Sequence, residues 1–292
     1  MTESGLILKG VGSFYEVLTD NNDIKTCKAR GLFRKQGLIP TVGDHVLIET
    51  QSKGYSLISE ILPRKNLLIR PAAANIDRVF LVISASKPEP DYILLDQLII
   101  QAKRSGIYPI PVLNKIDEAE RGIPDQFCRM YKYFETVLVS ASSGEGTDEL
   151  RRKMEGYVSC FAGQSAVGKS SLLNSLFPEL HLEVGSLSKK TERGRHTTRH
   201  AQLVPFAHGA VLDTPGFSLF EQEPLEQSEL NACYPEFAFV SYSCRYPDCM
   251  HDSEPDCSIK ELVQNKLFSE ERYNRYITIA RENQLRRKHR YD

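Results

Sequence analysis

Residues 161–171 read FAGQSAVGKSS, and residues 112–117 read VLNKID. The first stretch fits G-x-x-x-x-G-K-[ST] from Gly163 to Ser170. It closes an apolar run that reads as a strand, and it opens KSSLLNSLF, which reads as a helix. A phosphate-binding loop needs that context. Gly163 and Gly168 let the backbone curl, so that Ala162, Gln164, Ser165, Ala166, Val167 and Ser171 complete a cradle of N–H groups. Lys169 is then a point charge for the β- and γ-phosphates, and the Ser170 hydroxyl suits Mg²⁺. A glycine-rich turn matching by chance is the plainer reading, but it leaves the flanking strand and helix unexplained.

VLNKID raises a problem of order. Asn114, Lys115, Ile116 and Asp117 form a guanine reader just past a strand. The Asp117 carboxylate accepts from both N1–H and the exocyclic amine of guanine, whereas adenine would leave it unpaired. Asn114 would support the loop, and the Lys115 stem would cover the base. Ser140, Ala141 and Ser142 follow the next strand, where the Ala141 N–H would meet guanine O6. Further on, DTPG (213–216) ends another apolar strand. Asp213 suits Mg²⁺ through water, and the Gly216 N–H suits the γ-phosphate. Thr197 and Thr198 lie in the polar segment between, with Thr198 a further Mg²⁺ and γ-phosphate contact. A base reader ordinarily follows the phosphate loop, yet here it precedes it. A doubly wound sheet binds ligand at the carboxyl ends of its strands, and those ends stay together wherever the chain is cut. The order implies a circularly permuted domain.

The remaining pattern fits around that domain. Strand-like RVFLVISAS (78–86) leads to a helix over 91–106, strand YPIPVLN, a helix over 124–134, strand TVLVSAS and helix DELRRKMEG. Strand YVSCFAG precedes the phosphate loop, and AQLVPF and GAVLDT come last. Alternating strands and helices predict a mostly parallel α/β sheet. Before it, residues 1–70 hold five short β-segments broken by turns, which predict a small barrel. From about 221 the chain reads as helical or irregular. The expected domains are 1–70, 71–220 and 221–292.

Composition supports a protein with a large core and a charged partner. The chain has 292 residues, 41% hydrophobic, with a formal net charge of -1. Five cations and no acid fall in 25–36, and five cations against Glu192 alone fall in 186–200. RRKHRY (286–291) is basic again. Such blocks suit a polyanion touched at several points, although each alone also fits a solvated face. No apolar run approaches the roughly 20 residues of a membrane span, and MTESGLILKG does not read as a signal peptide. A cytoplasmic protein with reduced cysteines is expected.

Three of the seven cysteines crowd into CRYPDCMHDSEPDC (244–257). Cys244, Cys249, His251 and Cys257 make C-x4-C-x-H-x5-C, a donor set for closed tetrahedral zinc. A disulfide loop with a bystander histidine is the other reading, disfavoured in a reducing compartment.

Taken together, these motifs resemble the circularly permuted small-ribosomal-subunit biogenesis GTPases, the RsgA or YjeQ family. The resemblance rests on a β-barrel, NKID before GQSAVGKSS, then GRHTT, DTPGF and the cysteine–histidine spacing, and it covers nearly the whole chain. It implies an OB-fold, a permuted G domain and a zinc domain. It also implies GTP hydrolysis stimulated by the small subunit during late maturation, with Mg²⁺ and one structural Zn²⁺. Ala166 stands where the family pattern has glycine, a near-equivalent exchange of small residues. Phe33, within KTCKARGLFRK, would stack on RNA or fill the barrel core.

Catalysis is expected to be slow without help. Phe217 follows DTPG and cannot orient a water. His196 is a candidate to position or deprotonate it, beside Lys169 and Thr198, or else it contacts RNA or is merely solvated. Two other functions compete. An RNA-binding scaffold with a decayed G domain is argued against by intact Lys169, Ser170, Asp213 and Asp117. A P-loop kinase or ATPase is argued against by NKID. The expected partners are GTP or GDP and the small subunit with its rRNA, bound by a monomer.

Overall fold

The computed structural model describes residues 2–35, 37–51, 54–69, 71–178, 201–213, 224–240, 244–246 and 249–289. His196, Thr198, Gly216 and Phe217 lie outside them, as does the basic segment 186–200.

The first five strands close a barrel. They are β1 (Thr2–Val11), β2 (Phe14–Thr19), β3 (Ile24–Ala29), β4 (His45–Glu49) and β5 (Ser56–Ile61), ordered β1-β2-β3-β5-β4 with β1 pairing β4. Period-2 alternation drives this: in β4, Val46 and Ile48 point inward between more exposed neighbours. Both join Ile7, Val17, Cys27 and Ile58 in the barrel core. A short helix, α1 (Gly31–Lys35), links β3 to β4 and carries Phe33, only 6% exposed. Phe33 is therefore core and not a stacking platform. The barrel's exposed rings are instead Phe14 and Tyr55, with the Lys28 ammonium 4.6 and 4.4 Å from their centroids. A hairpin, β6 (Leu67–Ile69) with β7 (Ala72–Ala74), leads out of the barrel.

Alternating strands and helices among the described residues then build the α/β layer. They are β8 (Arg78–Ser84), α2 (Tyr92–Arg104), β9 (Tyr108–Asn114), α3 (Ile123–Met130), β10 (Val137–Val139), α4 (Thr147–Met154), β11 (Val158–Ala162), α5 (Lys169–Leu176), β12 (Leu203–Phe206) and β13 (Gly209–Leu212). The sheet runs β10-β9-β8-β11-β13-β12, parallel except for the β12–β13 hairpin. Central β8 is apolar on both faces, as a strand covered on each side must be. Val79, Leu81 and Ile83 face the core under α2 and α3, while Phe80 and Val82 face the core under α4 and α5. Helix α3 stops at Met130, short of the expected 134, because the Tyr131 backbone leaves the helical region at φ -110° and ψ 28°; its buried hydroxyl donates to Asp96 at 3.0 Å. The barrel meets the sheet edge: Lys9 of β1 bridges Gln202, and Leu8 joins the α2-side core.

The last part holds α6 (Gln227–Ala232), α7 (Ser258–Gln264) and α8 (Glu270–His289). Its core includes Ile100 from α2. Beneath α8 lies a buried ionic network that the sequence did not announce. Arg272 and Asp96 are each 1% exposed; Arg272 reaches Glu236 at 2.6 Å and Asp96 at 3.5 Å, and Arg275 reaches Asp96 at 2.6 Å.

Candidate functional site

Parallel strands place their carboxyl ends on one edge, so four motif loops emerge side by side. NKID follows β9, SAS follows β10, the phosphate loop follows β11, and Asp213 follows β13. The phosphate loop is shaped by two glycines. Gly163 has φ 134°, and a Cβ there would lie 2.0 Å from the Val82 carbonyl oxygen. Gly168 has φ 96°, and its Cβ would lie 2.3 Å from the Asn114 amide nitrogen. Only glycine fits either position. Ala166 is also left-handed, at φ 64°. Glycine and alanine are thus not equivalent there, since a Cβ in that region costs about 1–2 kcal/mol.

Asn114 stitches the loops together. Its amide nitrogen donates to the Val167 carbonyl at 2.8 Å, and its oxygen accepts from the Ala141 N–H at 3.2 Å. The side chain is buried, 1% exposed, and joins the base-reading, second base-reading and phosphate loops. Lys115, left-handed at φ 63°, reaches across to the Lys87 and Ala166 carbonyls. Asp117 is exposed, and the Ser142 hydroxyl donates to one of its oxygens at 2.7 Å. The Ser140 and Ser142 hydroxyls hold its carboxyl below the ordinary range, so it stays an acceptor. Sequence reading missed the Ser142 contact, though the serine beside the Ala141 position was the available signal.

Lys169 folds back so that its ammonium donates to the Gly163 and Gln164 carbonyls at 2.8 and 2.5 Å. Burial pushes its pKa down to about 8. Ser170 sits on the first turn of α5, and Asp213 ends the neighbouring strand; one Asp213 oxygen accepts from the Gln202 N–H at 3.0 Å. A hydroxyl on the first turn of α5 and a carboxylate just past β13 are donors of the kind a hard cation takes.

A second cluster lies in the last part of the chain. The ligand atoms of Cys244, Cys249, His251 and Cys257 all lie within 4.8 Å of one another. His251 Nδ1 faces the sulfurs of Cys244 and Cys257 at 3.6 and 3.4 Å, while Nε2 is 3.1 Å from the Asn231 amide. Such outer contacts orient a ligating imidazole. Around it, Tyr273 of α8 donates to the His251 carbonyl at 2.6 Å, and Arg281 grips Asp252 with two bonds of 2.8 Å. The cluster could hold a metal ion. All seven cysteines are free.

A phosphate loop, a base-reading loop and a carboxylate on one edge of a parallel sheet define a P-loop GTPase domain, here with its base reader first in the chain. Comparison with known proteins gives the particular family. The RsgA GTPase pattern matches residues 61–223, and the RsgA N-terminal domain pattern matches 4–58. The "Small ribosomal subunit biogenesis GTPase RsgA" of Caldanaerobacter subterraneus subsp. tengcongensis is 40% identical, covering 98% of each chain. The protein of that name from Geobacillus sp. is 39% identical over 95% of this chain and 96% of its own. Among solved structures, YjeQ from Thermotoga maritima superposes with a TM-score of 0.84 at 33% identity, covering 97% of this chain and 99% of its own. YloQ, described as a circularly permuted GTPase, gives 0.83 at 31% identity over 98% and 96%. The chain belongs to the RsgA GTPase family.

Proposed function

We propose that this protein hydrolyses GTP and serves late maturation of the small ribosomal subunit, with the subunit stimulating hydrolysis and hydrolysis coupled to release. The observation that carries this reading is the Asn114 side chain, which makes one site of the base-reading and phosphate loops. Asp117 selects guanine, Ala141 meets its O6, and the loop from Ala162 to Ser171 wraps the phosphates. Lys169 leaves its two carbonyls for the β- and γ-phosphates. Ser170 and Asp213, with Thr198, would hold Mg²⁺, which would neutralise charge developing on the phosphates. Gly216 and Thr198 meet the γ-phosphate, and His196 handles the attacking water, since an apolar Phe217 cannot.

The proposed domains are a barrel over 1–70, the permuted GTPase over 71–220 and a zinc domain over 221–292. Cys244, Cys249, His251 and Cys257 would keep one structural zinc, a four-donor set that would leave no open position for chemistry. The partners proposed are GTP or GDP and the small subunit through its rRNA, met by a monomer in the cytoplasm. Among the described residues no helix is long and apolar enough to cross a membrane. The test is GTP hydrolysis with and without purified small subunits. The expected stimulation is roughly tenfold or more, a barrier difference of at least about 1.4 kcal/mol. An unchanged rate overturns the coupling to the subunit.

A further inference from the structure

The opposite edge of the sheet, where the strands begin, gathers a different set of residues. Arg78 starts β8, Tyr108 starts β9 in register with it, and Tyr157 immediately precedes β11. Helix α4 adds Glu149, Arg152 and Lys153, and with Arg78 and Tyr157 they line an open cleft of about 430 Å³. The Arg78 guanidinium lies 3.5 Å from the Tyr157 ring centroid and 5.8 Å from that of Tyr108. It is fixed there by donating to the Lys153 carbonyl at 2.6 Å. Both rings remain open to solvent, Tyr157 39% and Tyr108 47% exposed.

The charges at this cleft do not cancel. Lys153 pairs with Glu135 at 2.7 Å and with Glu149 at 3.9 Å. Glu135 also accepts from the Tyr108 hydroxyl at 3.2 Å and is stabilised by the Arg78 charge, so the cleft lining sets Arg78, Arg152 and Lys153 against Glu149. Among the described residues neither Arg78 nor Arg152 has a carboxylate in ion-pair contact; Arg152 makes only a 3.4 Å bond to the Asp148 carbonyl. Two guanidiniums without ion pairs beside two exposed rings are poor metal ligands and a poor apolar pocket. Cations for phosphate and π-faces for a base are what a single nucleic-acid strand requires. We infer that this cleft is a second RNA-binding site, taking a stacked base and its phosphate from single-stranded RNA. It faces away from the nucleotide loops, so it binds without regard to GTP. The inference extends the proposed ribosomal role, because the strand it would take is rRNA.

The experiment uses the full chain and a short unstructured oligoribonucleotide carrying 4-thiouridine. Affinity is measured at several salt concentrations, and photo-crosslinks are mapped by mass spectrometry. Crosslinks are expected at Tyr108 or Tyr157. Arg152→Glu with Tyr157→Leu should weaken binding on the order of tenfold and lower the salt slope by about one, with GTP binding and basal hydrolysis unchanged. Arg152→Ala alone trims one exposed side chain and should still lose roughly threefold. Undiminished RNA affinity in either variant, or crosslinks confined to the barrel, overturns the proposal. So does lost co-sedimentation with small subunits alongside intact oligonucleotide affinity, which would make the cleft a protein contact. Absence of subunit-stimulated hydrolysis in the unaltered protein would instead strike the proposed function and leave the oligonucleotide result standing.

Discussion

Lys169 shows how a single side chain records its surroundings. Burial of its ammonium brings its pKa to about 8. Its folded value lies below the unfolded one, so burying the ammonium subtracts stability below about pH 8, and the loss is relieved as pH rises beyond that. Phosphates beside it act the other way and raise its pKa. The nucleotide complex therefore holds the proton to higher pH than the free protein does. GTP affinity should be flat below about pH 8 and fall above it, by up to tenfold per pH unit. Titrations from neutral to alkaline pH measure this, and Lys169→Arg, which keeps its charge throughout, should flatten the curve. An unchanged slope in that variant would exclude Lys169 as the titrating group. The motif itself was legible, because Gly163, Gly168 and Lys169 are demanded by close approach and charge. The left-handed backbone at Ala166 was not, since alanine is common wherever a small residue fits. Phe33 was ambiguous for a similar reason: an aromatic among cations looks alike whether it faces RNA or a barrel interior.

Helix α2 is the element that joins the parts. Asp91 caps its start by accepting from the Leu94 N–H at 2.9 Å, and its far face meets α8 through the Asp96–Arg272–Arg275 network. The Arg272 guanidinium also lies about 5 Å from three rings, 4.9 Å from Tyr131 and Phe134 and 5.2 Å from Tyr234. Removing one member of a buried ion pair strands the other, typically at about 3–5 kcal/mol. Arg272→Met should lower stability by that order and strip hydrogen-exchange protection from α8. Pairing it with Glu236→Gln should recover a substantial part, because the stranded carboxylate is gone. A double variant no more stable than the single one would show that the pair does not act as a unit. Alternation and 3.6-residue periodicity made nearly every strand and helix of the α/β layer readable from the chain. The α2–α8 contact was not readable, because its Asp96–Arg275 pair joins residues 179 apart and looks like ordinary surface charge in sequence.

At the scale of the whole molecule, four apolar clusters lie among the described residues, one in the barrel, one on each face of the sheet and one in the last part, and a metal is the expected fastener of the last. Elemental analysis should find one zinc per chain. Strong chelation should raise hydrogen exchange across 224–289 while GTP affinity stays within about threefold. A well-folded, metal-free purified protein would contradict this. The rotated order of the motifs was enough to imply the parallel sheet, because strand ends converge regardless of where the chain is cut. Where the barrel would rest was hidden, since the Lys9–Gln202 bridge rests on backbone pairing that no side chain encodes. The same rotation governs how the protein is made. Synthesis delivers the amino-terminal part first, and domains fold as they emerge. Asn114 appears 53 residues before Val167, the carbonyl it must reach, and Asp96 waits 179 residues for Arg275. A nascent chain therefore displays the base-reading loop with no phosphate loop to join it. Only a chain extended past the phosphate loop closes on both ends of a nucleotide, so termination before that loop leaves no half-working switch behind.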